Sequence, residues 1–285
     1  MGRVPGKSLH DFSLIGPSPI FSTTYIRHHM TSLTTIAIPK ILLIGDSCTD
    51  LTIWGRCNRL SPEAPVPVFL PESETQTSGM AGNVLNNLER LGADVTFYTN
   101  PEDIVKTRYT DIQSQQQLLR VDTEPKVEPW MFDAESDWSE YDAIVFSDYA
   151  KGFVTLESMR SLRRQFAGPI FVDTKITDLA RLEGCVVKIN EPEYRRLTSE
   201  CSDLVVTLGS AGVRYAGVIY PAPAVEVYDV CGAGDTFLAA LAWHYVQHSD
   251  MAKAIAFAQS AASITVQHAG VYAPGLSEID TALHK

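Results

Sequence analysis

An apolar run that ends at a polar residue recurs along the chain and constrains the fold more than any other feature. Residues 41–44 are all apolar and are followed by Gly45 and Asp46, which is typical of a buried parallel strand that ends at a polar loop. Between such runs lie segments of helical spacing, such as residues 81–93, in which apolar residues recur every three or four positions. Strands that alternate with helices predict an α/β fold built on a parallel sheet.

The same pattern gives the order of the predicted elements. Strands are expected at residues 41–46, 94–99, 141–150, 169–175, 185–190 and 203–212, with the last residues of some of these stretches entering loops. Helices are expected at residues 81–93, 156–166, 191–197, 235–248 and 251–267.

Polar residues follow most of the predicted strands. In open α/β sheets, ligands bind beyond the carboxyl ends of the strands. Asp46, Asp148, Asp173, Asn190 and the glycine turn at residues 209–212 occupy such positions. The sequence therefore predicts a ligand site along this edge of the sheet.

Two segments interrupt the alternation of strands and helices. Residues 51–70 and 105–122 look like short strands with polar alternation, and the second segment is typical of a hairpin. We expect them to form a small sheet that projects from the main one. The predicted organisation is a single domain over residues 40–285 that carries this projection.

Residues 1–39 are rich in Ser, Thr, Pro and His and have no clear apolar period. They lack the basic-then-apolar order of a secretory signal. We interpret them as a disordered extension or as a misassigned start, with Met30 as the alternative start, and a targeting peptide is a further alternative. No stretch of the chain reaches the ~18 apolar residues expected of a membrane helix, so no membrane partner is predicted.

Charge and cysteine content narrow the function classes. The net charge of −11 disfavours a nucleic-acid partner, since such proteins usually carry a basic face. The five cysteines are odd in number, scattered and without a CxxC pair, which disfavours a disulfide framework and a zinc site. These features favour a small-molecule enzyme in the reducing cytoplasm.

The stretch Gly232-Ala233-Gly234-Asp235 precedes an apolar helical run. The glycines allow the backbone to approach a ligand closely, and the amides at the start of the helix favour negative charge. Asp235 could accept a proton from a substrate hydroxyl, as phosphoryl transfer requires. A simple helix cap would account for Asp235 equally well.

Three further groups of residues are candidates for binding. Thr207, Gly209 and Gly212 form a glycine turn after a strand that could hold nucleotide phosphates, although an ordinary turn explains it as well. Asn190 and Glu193 lie three residues apart and could hold a phosphate and, through water, Mg²⁺, whereas Asn190 alone would suit a helix cap. Acids and amides suited to a polyol, or to plain turns, occur at Asp46, Asp50, Gly79 and Asn83. Basic candidates for an anionic substrate, each of which could also be a simple surface charge, are Arg59, Lys106, Arg108, Arg120, Lys151 and Lys175.

Taken together, these motifs resemble those of the ribokinase-like (PfkB) carbohydrate kinases, whose signature is the GAGD of residues 232–235. Within that family the nearer resemblance is to the kinase domain of the heptose-7-phosphate kinases of lipopolysaccharide-core precursor synthesis. It rests on RLSPEAPVPVF (residues 59–69), QQLLRVD (116–122), SDYAKG (147–152) and EVYDVCGAGDT (226–236). The resemblance extends from about residue 41 to the end of the chain.

The resemblance implies a ribokinase-like fold with a β-sheet lid, the cofactors ATP and Mg²⁺, and a role for each motif. Asp235 would be the base and Gly232–Asp235 the anion hole, while Asn190 and Glu193 would organise the triphosphate and magnesium. Thr207, Gly209 and Gly212 would line the ATP site. The implied sugar contacts are Asp46, Gly79 and Asn83, and Asp148 and Lys151 would lie near the phosphates or the sugar. With Asp50, Arg59 and Arg108 from the residue pattern, they make up the predicted substrate-binding set. The lid would also form a homodimer interface.

Some features depart from the family pattern. Residues 100–104 and 197–203 are short where relatives carry additional elements, so we expect a fold trimmed at one sheet edge. Residues 110–115 of the lid also differ, and Cys231 stands where Thr is usual. We expect no nucleotidyltransferase domain, because no HxGH-type motif is present. The predicted activity is phosphorylation of a heptose 7-phosphate; a fructose- or ribose-like substrate and a non-catalytic sugar-phosphate or nucleotide binder remain alternatives.

Overall fold

The computed structural model describes residues 38–284. The predictions for residues 1–39 therefore lie almost entirely outside the described residues. In chain order the elements are β1 (Lys40–Gly45), β2 (Ser47–Leu60), β3 (Pro67–Met80), α1 (Ala81–Arg90), β4 (Asp94–Thr99), β5 (Val105–Asp111), β6 (Gln117–Thr123), β7 (Ala143–Ser147), α2 (Leu156–Gln165), β8 (Ile170–Asp173), β9 (Val186–Asn190), α3 (Glu191–Tyr194), β10 (Leu204–Thr207), β11 (Val213–Tyr215), β12 (Val218–Tyr220), α4 (Ala233–His248), α5 (Met251–Thr265) and α6 (Leu276–Leu283).

Eight strands form the large sheet in the order β12-β11-β10-β9-β8-β7-β1-β4. The six strands from β10 to β4 pair in parallel, and β11 and β12 add an antiparallel hairpin at one edge. The expected α/β fold with a parallel-rich sheet is thus confirmed. Strand β4 forms the other edge.

Helices cover both faces of this sheet, which explains why its central parallel strands are largely apolar. In β1, Leu42 and Ile44 pack in a core cluster with residues of α2. Ile41 and Leu43 point the other way, into a cluster with residues of α1, α4, α5 and α6. Alternate side chains of one strand therefore fill two separate cores.

The smaller sheet has the order β3-β2-β5-β6 and is called the lid below. Its two longest strands, β2 and β3, have 14 residues each and begin or end at the large sheet. Strands β2 and β3 extend beyond the predicted segment of residues 51–70, because their exposed residues give little periodic signal.

Three elements were not predicted. Strands β11 and β12 have three residues each, which is too short for an apolar period, and α6 has eight. Within residues 38–284, none of the helices combines the length and apolar character that crossing a bilayer requires.

Candidate active site

Asp46 lies directly after β1 and is completely buried. Its carboxylate accepts hydrogen bonds from the backbone N–H groups of Tyr149 (2.8 Å), Lys151 (3.1 Å) and Phe153 (3.1 Å). The carboxylate thus holds the loop after β7 in place. In this geometry its oxygens are not available to a sugar, which corrects the prediction that Asp46 binds the substrate.

Asp50 and Arg108 meet at the base of the lid, where β2 and β5 run side by side. The Arg108 guanidinium donates to Asp50 Oδ1 at 2.5 Å. Gly79 on β3 lies opposite Cys48 on β2, and a methyl group on Gly79 would overlap Asp50 Oδ2. Glycine at residue 79 therefore leaves the room in which the Asp50 carboxylate lies, so these three predicted residues are brought together.

Arg59 is placed elsewhere. It pairs with Val68 near the far end of β2 and is exposed. Arg59 lies nine positions after Asp50, and along an extended strand this corresponds to a distance of roughly 30 Å. The structure therefore does not bring Arg59 into the candidate site of its own chain, contrary to the prediction.

Asp235 lies in the first turn of α4 and is 6% exposed. The Tyr149 hydroxyl donates to its Oδ1 at 2.7 Å, and the Asn83 amide donates to its Oδ2 at 3.0 Å. Burial raises the pKa of Asp235 above its usual range, while the hydrogen bonds from Tyr149 and Asn83 act in the opposite direction. The site thus contains a buried carboxylate with a perturbed pKa, as a general base requires.

Asn83 was predicted to bind the sugar, but it is 2% exposed and directed at Asp235. The Asn87 side chain donates to the Asn83 carbonyl (2.8 Å) and to Asn83 Oδ1 (3.3 Å), which fixes the orientation of the Asn83 amide. Asn83 is therefore a partner of the candidate base, which corrects its predicted role.

The turn before α4 needs its glycines for two different reasons. Gly232 is the helix N-cap with φ 75°, and a methyl group there would lie 2.7 Å from Asn83 Nδ2. A methyl group on Gly234 would lie 3.0 Å from Lys188 Nζ. Ala233 begins the helix between them. The turn therefore exposes the first amides of α4 beside a cation.

Lys188 was not among the predicted site residues. It is 4% exposed on β9, and its ammonium lies 2.6 Å from Asp173 Oδ2 on β8. The available signal was a lysine inside the otherwise apolar run of residues 185–189, since buried lysines are rare unless they are paired.

Asn190 and Glu193 form a reciprocal cap at the start of α3. The Asn190 side chain accepts from the Glu193 N–H, and Glu193 Oε2 accepts from the Asn190 N–H, both at 2.9 Å. The other Glu193 oxygen pairs with Lys175. The structure thus shows the helix cap that the sequence left open as the plainer alternative.

Magnesium fits this region only as an ion that keeps most of its water. Asp173 Oδ1 is buried and has no hydrogen-bond partner among residues 38–284, and Lys175 contacts both Asp173 and Glu193. Mg²⁺ in nucleotide sites commonly uses one or two carboxylates plus phosphates and water. These two carboxylates match that requirement.

A cavity of about 460 Å³ lies against the start of α4. It is lined by Thr207, Gly209 and Gly212, by the apolar side chains of Val213, Val227, Phe237 and Val266, and by Ala233 and Gly234 of the turn. A mostly apolar cavity with a few polar groups beside a helix N-terminus suits a nucleotide base with its phosphates directed at the helix. Of the predicted nucleotide-binding residues, Thr207, Gly209 and Gly212 therefore share one cavity, whereas Asn190 and Glu193 do not line it.

Asp148 and Lys151 are close to the site but occupied. Asp148 is 5% exposed, its carboxylate accepts from the Thr174 hydroxyl at 2.5 Å, and burial raises its pKa. Lys151 pairs with Glu124 at 2.5 Å. Asp148 supports the loop instead of facing a substrate, contrary to the prediction. Lys151 is partly exposed, and it could bind an anionic substrate by giving up its ion pair with Glu124.

Comparisons with known proteins agree with this geometry. Residues 145–278 match the model of the pfkB family carbohydrate kinases. The chain is 30% identical to the bifunctional protein HldE of a Nitratiruptor species, over 85% of this chain and 64% of that protein. It is 31% identical to the bifunctional protein HldE of Campylobacter jejuni (strain RM1221), again over 85% of this chain and 64% of that protein. The chain thus spans less than two thirds of the length of these relatives.

Solved structures give the fold. The ribokinase of Thermotoga maritima superimposes with a TM-score of 0.63 at 16% identity, over 87% of this chain and 100% of that one. The ribokinase of Arabidopsis thaliana, solved with ribose and ATP, superimposes with a TM-score of 0.65 at 17% identity, also over 87% and 100% of the two chains. The shared fold and the matched region together show a ribokinase-like chain whose residues 145–278 belong to the pfkB family carbohydrate kinases.

Proposed function

We propose that residues 40–285 form an ATP-dependent sugar kinase that phosphorylates a hydroxyl group of a heptose 7-phosphate. The observation that carries this proposal is the position of Asp235. Its buried carboxylate lies at the start of α4, between the cavity lined by Ala233 and Gly234 and the loop residue Tyr149, whose ring approaches Lys106 of the lid. A nucleotide on one side and a sugar under the lid would meet at this carboxylate.

In the proposed reaction, Asp235 accepts the proton of the sugar hydroxyl as the oxygen attacks the γ-phosphorus. The bond between the γ-phosphorus and the oxygen that bridges it to the β-phosphate breaks, and ADP leaves. The first amides of α4 and the Lys188 ammonium beside Gly234 would offset the charge on the transferred group.

Magnesium, when bound, would offset negative charge on the triphosphate. Asp173 and Glu193 are the residues that we expect to hold it through water, as their shared contact with Lys175 suggests. Lid closure over the sugar would exclude water, so that the phosphoryl group is not lost to hydrolysis.

Heptose 7-phosphate is proposed as substrate on two grounds. Both relatives described above are HldE proteins, although at about 30% identity. In addition, Lys106 and Arg108 lie near Asp50 at the base of the lid. The two cations could bind the phosphate of a phosphorylated sugar, while the Asp50 carboxylate could accept a hydrogen bond from a sugar hydroxyl. Because the proposed reaction consumes ATP, we expect the enzyme to act in the cytoplasm.

We also propose that the lid mediates a homodimer. Several of its apolar side chains are exposed, including Leu60, Leu70, Leu118, Leu119 and Val121. A second copy of the lid would cover this apolar surface.

The test is transfer of the γ-phosphoryl group from labelled ATP to a panel of heptose, hexose and pentose phosphates and free sugars. We expect Asp235→Asn to lower kcat by ~10²–10⁴-fold, the usual cost of losing a positioned base. Asp250→Asn is the matched control, because Asp250 caps α5 and asparagine caps equally well. Equal rates for wild type and Asp235→Asn would refute the role of Asp235. Transfer to fructose or ribose in preference to heptose phosphates would replace the substrate, and ATP binding without any transfer would support a non-catalytic binder.

A further inference from the structure

Tyr149 contacts the candidate base directly, and no motif role accounts for it. Its hydroxyl donates to Asp235 Oδ1 at 2.7 Å, while Asn83 donates to Oδ2 at 3.0 Å. Each oxygen of the carboxylate therefore has a neutral donor of its own. Two donors on different elements leave the carboxylate little freedom to rotate.

The Tyr149 backbone is held in place by the completely buried Asp46. The Tyr149 N–H donates to Asp46 Oδ2 at 2.8 Å, and the Lys151 N–H donates to the same oxygen at 3.1 Å. The intervening Ala150 has φ 56°, a conformation that costs energy for a residue with a side chain and persists only where its surroundings impose it. The loop is thus preorganised to direct Tyr149 at the base.

Two lysines flank the Tyr149 ring. Lys106 Nζ of β5 lies 5.8 Å from the ring centroid, and Lys175 Nζ, which follows β8, lies 5.1 Å from it. Both distances are in the range of cation–π attraction. Because Lys106 belongs to the lid and the Tyr149 hydroxyl contacts Asp235, Tyr149 links the lid to the candidate catalytic base.

We propose that Tyr149 is a positioning residue: its hydroxyl orients the Asp235 carboxylate toward the acceptor hydroxyl and favours its charged form. This inference rests on the proposed role of Asp235 as base. Burial and the Asp235 charge raise the pKa of Tyr149 well above its ordinary value, so the hydroxyl keeps its proton and acts as a donor. A donor to the charged carboxylate lowers the pKa of Asp235, which burial alone would raise further.

Other ionisable groups also face this pair. Asp173 on β8 raises the pKa of Asp235, and Lys188 on β9 lowers it. Around Tyr149 lie Asp173, Cys48 of β2 and the two flanking lysines. Removal of the tyrosine hydroxyl leaves all of these groups in place, so a change in the titration of Asp235 can be assigned to the lost hydrogen bond.

The experiment compares wild type, Tyr149→Phe and Tyr215→Phe. Tyr215 is the matched control, because its hydroxyl also donates to an aspartate, Asp203, at 3.1 Å. Asp203 directly precedes β10 and therefore lies at the amino-terminal end of that strand, away from the candidate site. We expect Tyr149→Phe to lower kcat by roughly 10–100-fold, the range for a hydrogen bond to a charged group. The acidic limb of the kcat/KM profile should move to higher pH, and Tyr215→Phe should change neither.

A second readout is independent of turnover. In protein labelled with ¹³C at the aspartate carboxyl carbon, the Asp235 signal is assigned from its loss in Asp235→Asn and is titrated with pH. We expect its midpoint to rise in Tyr149→Phe and to stay unchanged in Tyr215→Phe. If no sugar is phosphorylated, the proposed function fails while this titration still decides the role of Tyr149.

Two outcomes would overturn the inference. One is Tyr149→Phe with the kcat and pH profile of the wild type. The other is reduced activity with an unmoved acidic limb and an unmoved Asp235 midpoint, which would show that Tyr149 only supports the fold.

Discussion

The ion pair between Lys188 and Asp173 allows a quantitative test, because it is buried and yet borders the candidate site. The two side chains are 5% and 7% exposed, and their charged atoms are 2.6 Å apart. Replacing Lys188 by methionine keeps the length of the side chain and leaves the Asp173 carboxylate buried without its main partner. Removing one member of a buried pair typically costs about 3–5 kcal/mol.

The surroundings of Asp173 refine this value. Its Oδ1 has no hydrogen-bond partner within residues 38–284, and the nearest other cation, Lys175, is 4.0 Å away. Lys175 is already engaged by Glu193 and can compensate only partly. We therefore expect Lys188→Met to lower the free energy of unfolding by about 3 kcal/mol, the lower end of that range.

The assay is urea unfolding followed by the fluorescence of the four tryptophans. A lower midpoint with an unchanged m-value reports a loss of stability alone. The double variant Lys188→Met/Asp173→Leu should recover most of the loss, since replacing a buried pair by apolar side chains of similar volume is often neutral.

Lys126→Met is the control, because Lys126 and Glu128 form an equally short pair, 2.6 Å, that is 84% and 67% exposed. No measurable change is expected there. A loss below about 1 kcal/mol in Lys188→Met, or a double variant no more stable than the single one, would contradict the physical account of this pair.

Two further predictions concern the turn before α4 and the lid. Gly232→Ala should reduce both stability and kcat, because φ at residue 232 is 75° and the added methyl group would lie 2.7 Å from Asn83 Nδ2. Gly92→Ala is the control, because Gly92 has a similar φ of 84° but no atom lies within 4 Å of the added methyl group. This control should lose about 1 kcal/mol of stability and keep its kcat. Equal kcat values for the two variants would argue against the contact with Asn83. Leu119→Lys, at a site 55% exposed on the lid, should convert a micromolar dimer into a monomer in sedimentation, whereas Leu283→Lys, at a site 40% exposed in α6, should not. A monomeric wild type at that concentration would refute the lid dimer.

Local sequence patterns were sufficient for the six parallel strands of the large sheet. A parallel strand covered on both faces is largely apolar, and for this reason β1 and β7–β10 were recognisable; β4, at the edge of the sheet, was also recognised although it is only partly apolar. The β11–β12 hairpin lacked such a pattern, because three residues per strand give no period. In the lid, the β5–β6 hairpin was recognised, whereas β3 was recognised only in part, since most of it is exposed and tolerates polar and apolar residues alike.

In the candidate site, too, some residues were predictable from local motifs and others were not. Gly232 and the Asn190–Glu193 cap belong to short motifs whose chemistry is local: a positive φ in the first case, and two reciprocal hydrogen bonds in the second. The roles of Asp46 and Asn83 were misjudged, because a buried carboxylate or amide can serve a sugar or the protein itself. Only the identity of the neighbouring donors distinguishes these possibilities.

The sequence by itself determined the alternation of strands and helices, the edge of the sheet at which polar residues gather, and the glycine turn that opens α4. Those features follow from the apolar period and from backbone conformations that few residues adopt. The tertiary structure decided which side chains meet Asp235: Asn83, which is 152 residues away in sequence, and Tyr149, which is 86 residues away. Contacts over such separations depend on how strands pair and how helices pack, and no local pattern encodes them.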